Sequence, residues 1–323
     1  MILHTMVITK APTSQHQPAI LVTGVCGRLG KQVVRQLHRH YPVIGIDQRP
    51  FHESPKDVLH YSLDIRRKKI KDIFRMHTIG AVIHLGIMHD PRVSAAEHYS
   101  WNVIGYQKLL DYVAYFHIPK LIVLSSANVY GPHFDNLQFL KEESPLLAGQ
   151  NFPEIRDLVE IDMLTQSFFW KLPDIETIIF RPTHILGRVH NAFSNFLRLP
   201  IIPTLLGFDP MIQVIHESDV VQAILKALTP GIRGIFNIAG TAPLPLSHII
   251  KILKRPTFSL PYSLATLLMR SLWSLRITNF PAPELDYLRY LCMVDDERAR
   301  TILKFHPTRS IYETILSVTE DIW

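Results

Sequence analysis

Short apolar runs alternate with longer amphipathic stretches through the first half of the chain. Ala19 to Thr23 reads AILVT, apolar until its last position, and predicts a strand buried on both faces. Arg28 to His40 carries apolar residues at helical spacing, and Pro42 to Ile46 predicts a second strand. Ala81 to Leu85 and Leu121 to Leu124 are further apolar runs, with a helical stretch from about Ala95 to Phe116 between them. A helix over Arg156 to Trp170 then leads into a strand over Glu176 to Phe180. Strands and helices in alternation predict βαβ units. With right-handed crossovers, the expected fold is α/β, a doubly wound parallel sheet covered on both faces.

After Arg181 the pattern becomes irregular, and prolines in 195–210 and 242–261 interrupt it. The expected organisation is an N-terminal arm over 1–18, a first domain over 19–183 and a smaller, mainly C-terminal α/β substrate lobe over 184–323. Strands around 212–216 and 234–238 are expected to return to the first domain. Phe258 to Met269 is apolar, but Pro261 and Arg270 leave it too short to span a bilayer. It reads as a helix on the lobe's own core, with an apolar ligand wall or a membrane-surface contact, helped by Trp273, as the other readings.

Composition narrows this picture only modestly. Hydrophobic residues at 47% and charged residues at 19% exclude a disordered chain. A net charge of +6 is spread along the sequence, and the tightest basic run (Arg66, Arg67, Lys68, Lys69, Lys71) reads as a solvated helix start, so no nucleic-acid partner is expected. Cys26 and Cys292 cannot form a disulfide framework, which points to a reducing cytoplasm. The histidines lack a zinc spacing, so no metal is expected. Met1 to Pro18 lacks the basic-then-apolar pattern of a signal peptide.

The first strand runs straight into Thr23-Gly24-Val25-Cys26-Gly27-Arg28-Leu29-Gly30, and a helix begins there. A tight turn needs positive φ, a pyrophosphate needs bare backbone beside it, and a helix N-terminus offers N–H donors. The second strand ends at Asp47, seventeen residues beyond Gly30. A carboxylate there can accept from both ribose hydroxyls and repels a 2′-phosphate, so the expected cofactor is NAD rather than NADP, with Arg49 softening the preference.

These residues resemble the extended short-chain dehydrogenases/reductases, the NAD-dependent epimerase/dehydratases, and the likeness covers nearly the whole chain. It implies a Rossmann-type sheet and a further set of cofactor contacts: Asp64 and Ile65 near the adenine, Leu85 and Gly86 after the fourth strand, Asn102 on a helix, and Pro182 and His184 towards the nicotinamide. Ser125-Ser126-Ala127-Asn128-Val129-Tyr130-Gly131 resembles the active-site serine segment, with Ser126 at the catalytic position. The resemblance also implies a homodimer joined through the helices around 95–116 and 156–170.

Two departures bear on activity. In that family a Tyr four residues before a Lys moves the proton, and spacing four places both on one helix face. None of the eleven tyrosines here has a Lys four positions later; Glu154 and Leu158 stand in their places. Nucleotide-sugar members often carry an Arg four residues before the His of the segment matched by Val214 to Val220, and here that position is Ile212. Three readings follow. The first is an NAD-binding protein with weak or absent dehydrogenase activity and an unidentified small-molecule ligand. The second is an active oxidoreductase or epimerase on a neutral or apolar substrate, with Glu154 as relocated acid/base and His184 or His133 as other candidates. The third is a peripheral membrane or lipid-handling protein.

Overall fold

The structure, a computed structural model, describes residues 17–88, 93–150, 153–274 and 282–320. Most of the predicted N-terminal arm lies outside them, as does the side chain of Trp273. The alternation runs β1 (Ala19–Thr23), α1 (Arg28–Leu37), β2 (Val43–Asp47), β3 (Leu59–Ser62), α2 (Ile70–Met76) and β4 (Ile79–His84). It continues with α3 (Ala95–Tyr99), α4 (Gly105–Tyr115), β5 (Lys120–Leu124), α5 (Pro153–Lys171) and β6 (Glu176–Pro182). Next come β7 (His184–Leu186), α6 (Ala192–Leu197), β8 (Ile202–Leu205), β9 (Met211–Ile212), β10 (Val214–His216), α7 (Glu217–Ala227) and β11 (Gly234–Ile238). The chain closes with β12 (Leu244–Pro245), α8 (Leu246–Ile252), β13 (Thr257–Leu260), α9 (Tyr262–Ser274), α10 (Glu297–Thr301) and α11 (Ile311–Leu316).

Seven strands make one sheet in the order β11-β6-β5-β4-β1-β2-β3, and every neighbouring pair is parallel. β1 and β2 are buried along their whole length because helices cover both faces. On one face α1 and α7 bury Val33, Val34, Leu37, Val220, Ile224 and Ala227. On the other, α2, α4 and α5 bury Ile73, Phe74, Leu109, Val113, Ile161 and Phe168. β3 has no apolar run to announce it: LHYS forms the sheet edge, with both end residues exposed. The strand order reverses between β1 and β4, which opens a crevice at the carboxyl ends of those strands.

The two candidate returning strands part company. β11 pairs with β6 at the edge of the large sheet, whereas β10 pairs with β7 and β9 with β12 in small sheets of the C-terminal lobe. A separate core holds that lobe together, with Phe196, Leu205, Val214, Ile249 and Leu288 at its centre. α9 buries Ala265 there yet leaves Leu264, Leu267 and Leu268 exposed. Arg67, Lys68 and Lys69 stand in solvent before α2, as a solvated helix start should.

His84 closes β4 behind the crevice, 1% exposed, with Nδ1 2.8 Å from Thr23 Oγ1 and its ring stacked on Tyr106. Burial pushes its pKa down from 6.5 to about 3, so it is neutral in the fold. Between those values the unfolded chain binds the proton that the folded chain refuses, so stability falls as pH drops through the window. His84→Asn is expected to flatten that fall by up to about 1.4 kcal/mol per pH unit, one proton's worth. Urea unfolding at pH 5 and pH 6 measures it, and an unchanged slope would show that His84 takes no part.

Candidate functional site

The glycine turn is built by contact as much as by φ. Gly24 has φ +77°, and a Cβ there would fall 2.7 Å from the backbone of Gly86. A Cβ on Gly30 would fall 2.1 Å from the Gly24 carbonyl oxygen. The bare positions let the β4 loop and the start of α1 close on the turn. α1 begins after Gly27 with no side-chain cap and no acidic residue in its first turn. Its N-terminal amides therefore face the crevice unblocked, the arrangement that favours a phosphate. Gly24, Gly27, Arg28, Leu29 and Gly30 line a cleft of about 700 Å³, together with Asp47, Ile65, Leu85 and Gly86.

Asp47 ends β2 with its carboxylate 6% exposed. It accepts from the backbone N–H of Cys26 and of Arg49, each at 3.0 Å. Arg49 adds Nε and Nη2, both at 3.1 Å. Burial alone would raise the pKa of Asp47, but the Arg49 bonds and charge hold it below the ordinary carboxylate range, so it is ionised at neutral pH. Cys26 serves the turn through its backbone. Its thiol is pushed up to about 11, by burial and then by Asp47, and is no nucleophile.

Other residues named from the sequence support the cleft from behind its wall. Asp64 is held by Arg66, with Nη2 to Oδ2 at 2.7 Å, while Leu63 and Ile65 on either side reach the cleft. Asn102 is 3% exposed; its Oδ1 accepts from Met88 N at 2.7 Å and its Nδ2 donates to Met88 O at 3.1 Å. It thereby fastens the β4 loop to a π-helical turn, Ser100–Ile104, which joins α3 to α4. Trp101, in the same turn, lines the cleft with Arg66 over its ring at 4.9 Å. Pro182 is buried at the end of β6, and His184 stacks on Phe193 at 4.2 Å. Burial pushes His184 down to about 4, which leaves it neutral.

The segment after β5 is fixed by a dense set of hydrogen bonds. Ser126 Oγ accepts from Asn128 N and caps a short 3₁₀ turn, Ala127–Tyr130. Ser125 Oγ donates to Asp162 at 2.6 Å. Arg181 grips the same carboxylate with Nε at 2.9 Å and Nη2 at 2.7 Å, both side chains being wholly buried. Leu158 is buried in one apolar cluster with Val129, Ile155, Val159 and Tyr287. Tyr287 arrives from the C-terminal lobe and donates its hydroxyl to Asn128 O at 2.8 Å. Glu154 lies in the first turn of α5, but its side chain falls outside the described residues. His133 does not reach the cleft wall.

Gln48, Met88, Trp101, Ile185, Val189, His190 and Asn191 also line the cleft, and the sequence assigned none of them to it; Arg49, expected there to soften the cofactor preference, lines it as well. Ile87 and Met88 directly follow Gly86, so proximity in the chain could have found them. Residues 189–191 come from beyond β7 and carry no local signal. Among the described residues no group of His, Cys, Asp and Glu could hold a metal ion, and no helix is long and apolar enough to cross a membrane.

A doubly wound parallel sheet with a glycine turn at its β1/β4 crevice and an acid closing β2 defines a Rossmann-type protein. The chain belongs to the NAD dependent epimerase/dehydratase family, whose sequence profile matches residues 20–239. An uncharacterised protein of Mycobacterium tuberculosis is 28% identical over 316 residues, spanning 91% of this chain and 81% of that protein. The UDP-glucose 4-epimerase of Yersinia enterocolitica is 25% identical over 74% of this chain and 82% of its own length. Two solved structures share the fold at a TM-score of 0.73: the UDP-glucose 4-epimerase of Thermotoga maritima with UDP-glucose, at 19% identity, and that of Thermus thermophilus with NAD, at 17%. Each covers 93% of this chain and 97% of its own.

Proposed function

We propose that this chain binds NAD in the β1/β4 crevice and turns over weakly or not at all as a dehydrogenase. The observation that carries the second half is Leu158. Its aliphatic side chain is buried in an apolar cluster with Val129, Ile155 and Tyr287 and, in the alignment that sets it at the family's lysine, supplies no cation to lower a proton donor's pKa or hold a ribose.

NAD supplies a hydride acceptor when bound; the protein's part is to hold it. The amides that open α1 would take the pyrophosphate. Asp47 would accept from the adenosine ribose hydroxyls. To do so it exchanges the side-chain bonds from Arg49, whose side chain is 61% exposed and can turn out to solvent. Leu63, Ile65 and Trp101 supply apolar walls for the adenine side.

Calorimetric titration of NAD, NADH and NADP into the protein tests this reading. NAD and NADH are expected to bind, and NADP about tenfold more weakly because ionised Asp47 repels a 2′-phosphate. Asp47→Ala should weaken NAD and narrow the gap. Failure of all three nucleotides to bind would leave a fold without its cofactor and end the proposal.

The same reading includes a homodimer through α4 and α5. Tyr115, Met163 and Trp170 stand exposed along these helices and Ile104 in the π turn before α4, with Trp170 at 77% and Tyr115 at 66%. Sedimentation velocity is expected to give a dimer that Met163→Glu converts to monomer. A wild-type monomer across a wide concentration range would rule the dimer out.

A further inference from the structure

A second cavity, of about 590 Å³, lies in the C-terminal lobe between α6, β8, β13 and α9. Phe196, Leu205, Ala265 and Leu288 form its floor, all of them buried. Leu260 and Met269 line it as well. Leu199, Ile201, Phe258 and Leu268 line it too, yet they are 40–51% exposed, so the cavity opens to solvent through an apolar mouth. Its polar groups are few. Thr204 Oγ1 lies 2.8 Å from Ser259 Oγ on one side. On the other, His190 Nδ1 lies 3.1 Å from Asn195 Oδ1.

Two features decide what this space can hold. No Lys, Arg, Asp or Glu lines it among the described residues. A diphosphate would bring its charges against a wall that offers no cation, and an unpaired charge beside apolar surface is strongly disfavoured. The position where the sequence could have supplied a cation, Ile212, is instead buried in the lobe core. The second feature is continuity. His190 lines both this cavity and the crevice, and its neighbours divide between them, Asn191 facing the crevice and Ala192 the cavity. A molecule seated here therefore ends beside the crevice.

We propose that this cavity binds a neutral small molecule, apolar over most of its length, with one hydroxyl or carbonyl at the end that meets His190 and Asn195. Its volume is that of a drug-sized ligand site, and apolar burial with a few polar groups at one end is how such sites combine affinity with orientation. The orientation of the ligand towards the crevice rests on the NAD reading above; the binding itself does not.

The experiment uses the whole chain and a neutral fluorescent probe, N-phenyl-1-naphthylamine, titrated with and without UDP-glucose. Saturable binding at one site, undisturbed by UDP-glucose, is the expected result. Ile201→Glu and Leu268→Glu each place a charge at the half-exposed mouth, where the fold tolerates it, and should weaken the probe about tenfold. Unchanged circular dichroism and melting would verify the fold of both variants. Displacement of the probe by UDP-glucose, or wild-type affinity in both variants, overturns the proposal. Probe binding without NAD binding would remove the cofactor reading and leave this one standing; NAD binding without saturable probe binding would do the reverse.

Discussion

Asp162→Ala is expected to destabilise the protein by about 3–5 kcal/mol, seen as a lower urea midpoint with an unchanged slope. The carboxylate and the Arg181 guanidinium are both fully shielded from water and meet through two hydrogen bonds. Arg181 also donates from Nη1 to Tyr130 Oη at 2.8 Å and to the Glu142 carbonyl at 2.9 Å, and Tyr130 donates onward to Asn237 at 2.7 Å. Removing Asp162 strands the guanidinium without its counter-ion and leaves Ser125 without an acceptor. The group ties α5, β6, β11 and the turn after β5 together, so the loss is global. Ser125→Ala, which deletes one neutral donor, should cost only about 1 kcal/mol. Asp162→Leu combined with Arg181→Met should recover much of the loss, because an apolar pair leaves no buried charge. Equal losses for Asp162→Ala and Ser125→Ala would mean that Arg181 finds water when its partner goes, and the burial argument would fail.

Gly30→Ala is expected to weaken NAD by about a hundredfold, near 2.7 kcal/mol. The added methyl group would sit 2.1 Å from the Gly24 carbonyl oxygen and 2.9 Å from Val25 Cα, both of them backbone. Neither can rotate aside. The start of α1 must move away from β1, and the amides that would face the pyrophosphate move with it. Gly207, with open space around its Cβ direction, is the control for added bulk alone, although its φ of +85° carries its own strain. Calorimetry with NAD reads the effect. Binding unchanged in Gly30→Ala, with the fold intact, would place the nucleotide elsewhere.

Much of the first half was legible because its signals are local. A strand buried on both faces is apolar along nearly all of its length, so β1, β2 and β5 announce themselves, with polar residues only at their ends. A turn that brings two backbones within van der Waals contact must be glycine, so Gly24 and Gly30 could be read from spacing. Edge strand β3 was not legible, since one covered side demands no run of β-branched residues. Asp64 and Asn102 show the limit of motif matching. Their identities stand in the sequence, but only the fold reveals that one is held by Arg66 and the other fastens Met88 to the π turn.

The sequence by itself determined the doubly wound parallel sheet, the glycine turn with Asp47 at the end of β2, and the absence of a Tyr–Lys pair. Each depends on residues within one helix or one βαβ unit. The tertiary structure alone decided that Tyr287 joins Leu158 in one apolar cluster, that β11 rather than β10 rejoins the large sheet, and that His190 stands between crevice and cavity. These contacts join segments far apart along the chain. Their pairing is set by which apolar faces remain uncovered after the sheet has formed, and no local periodicity encodes that choice.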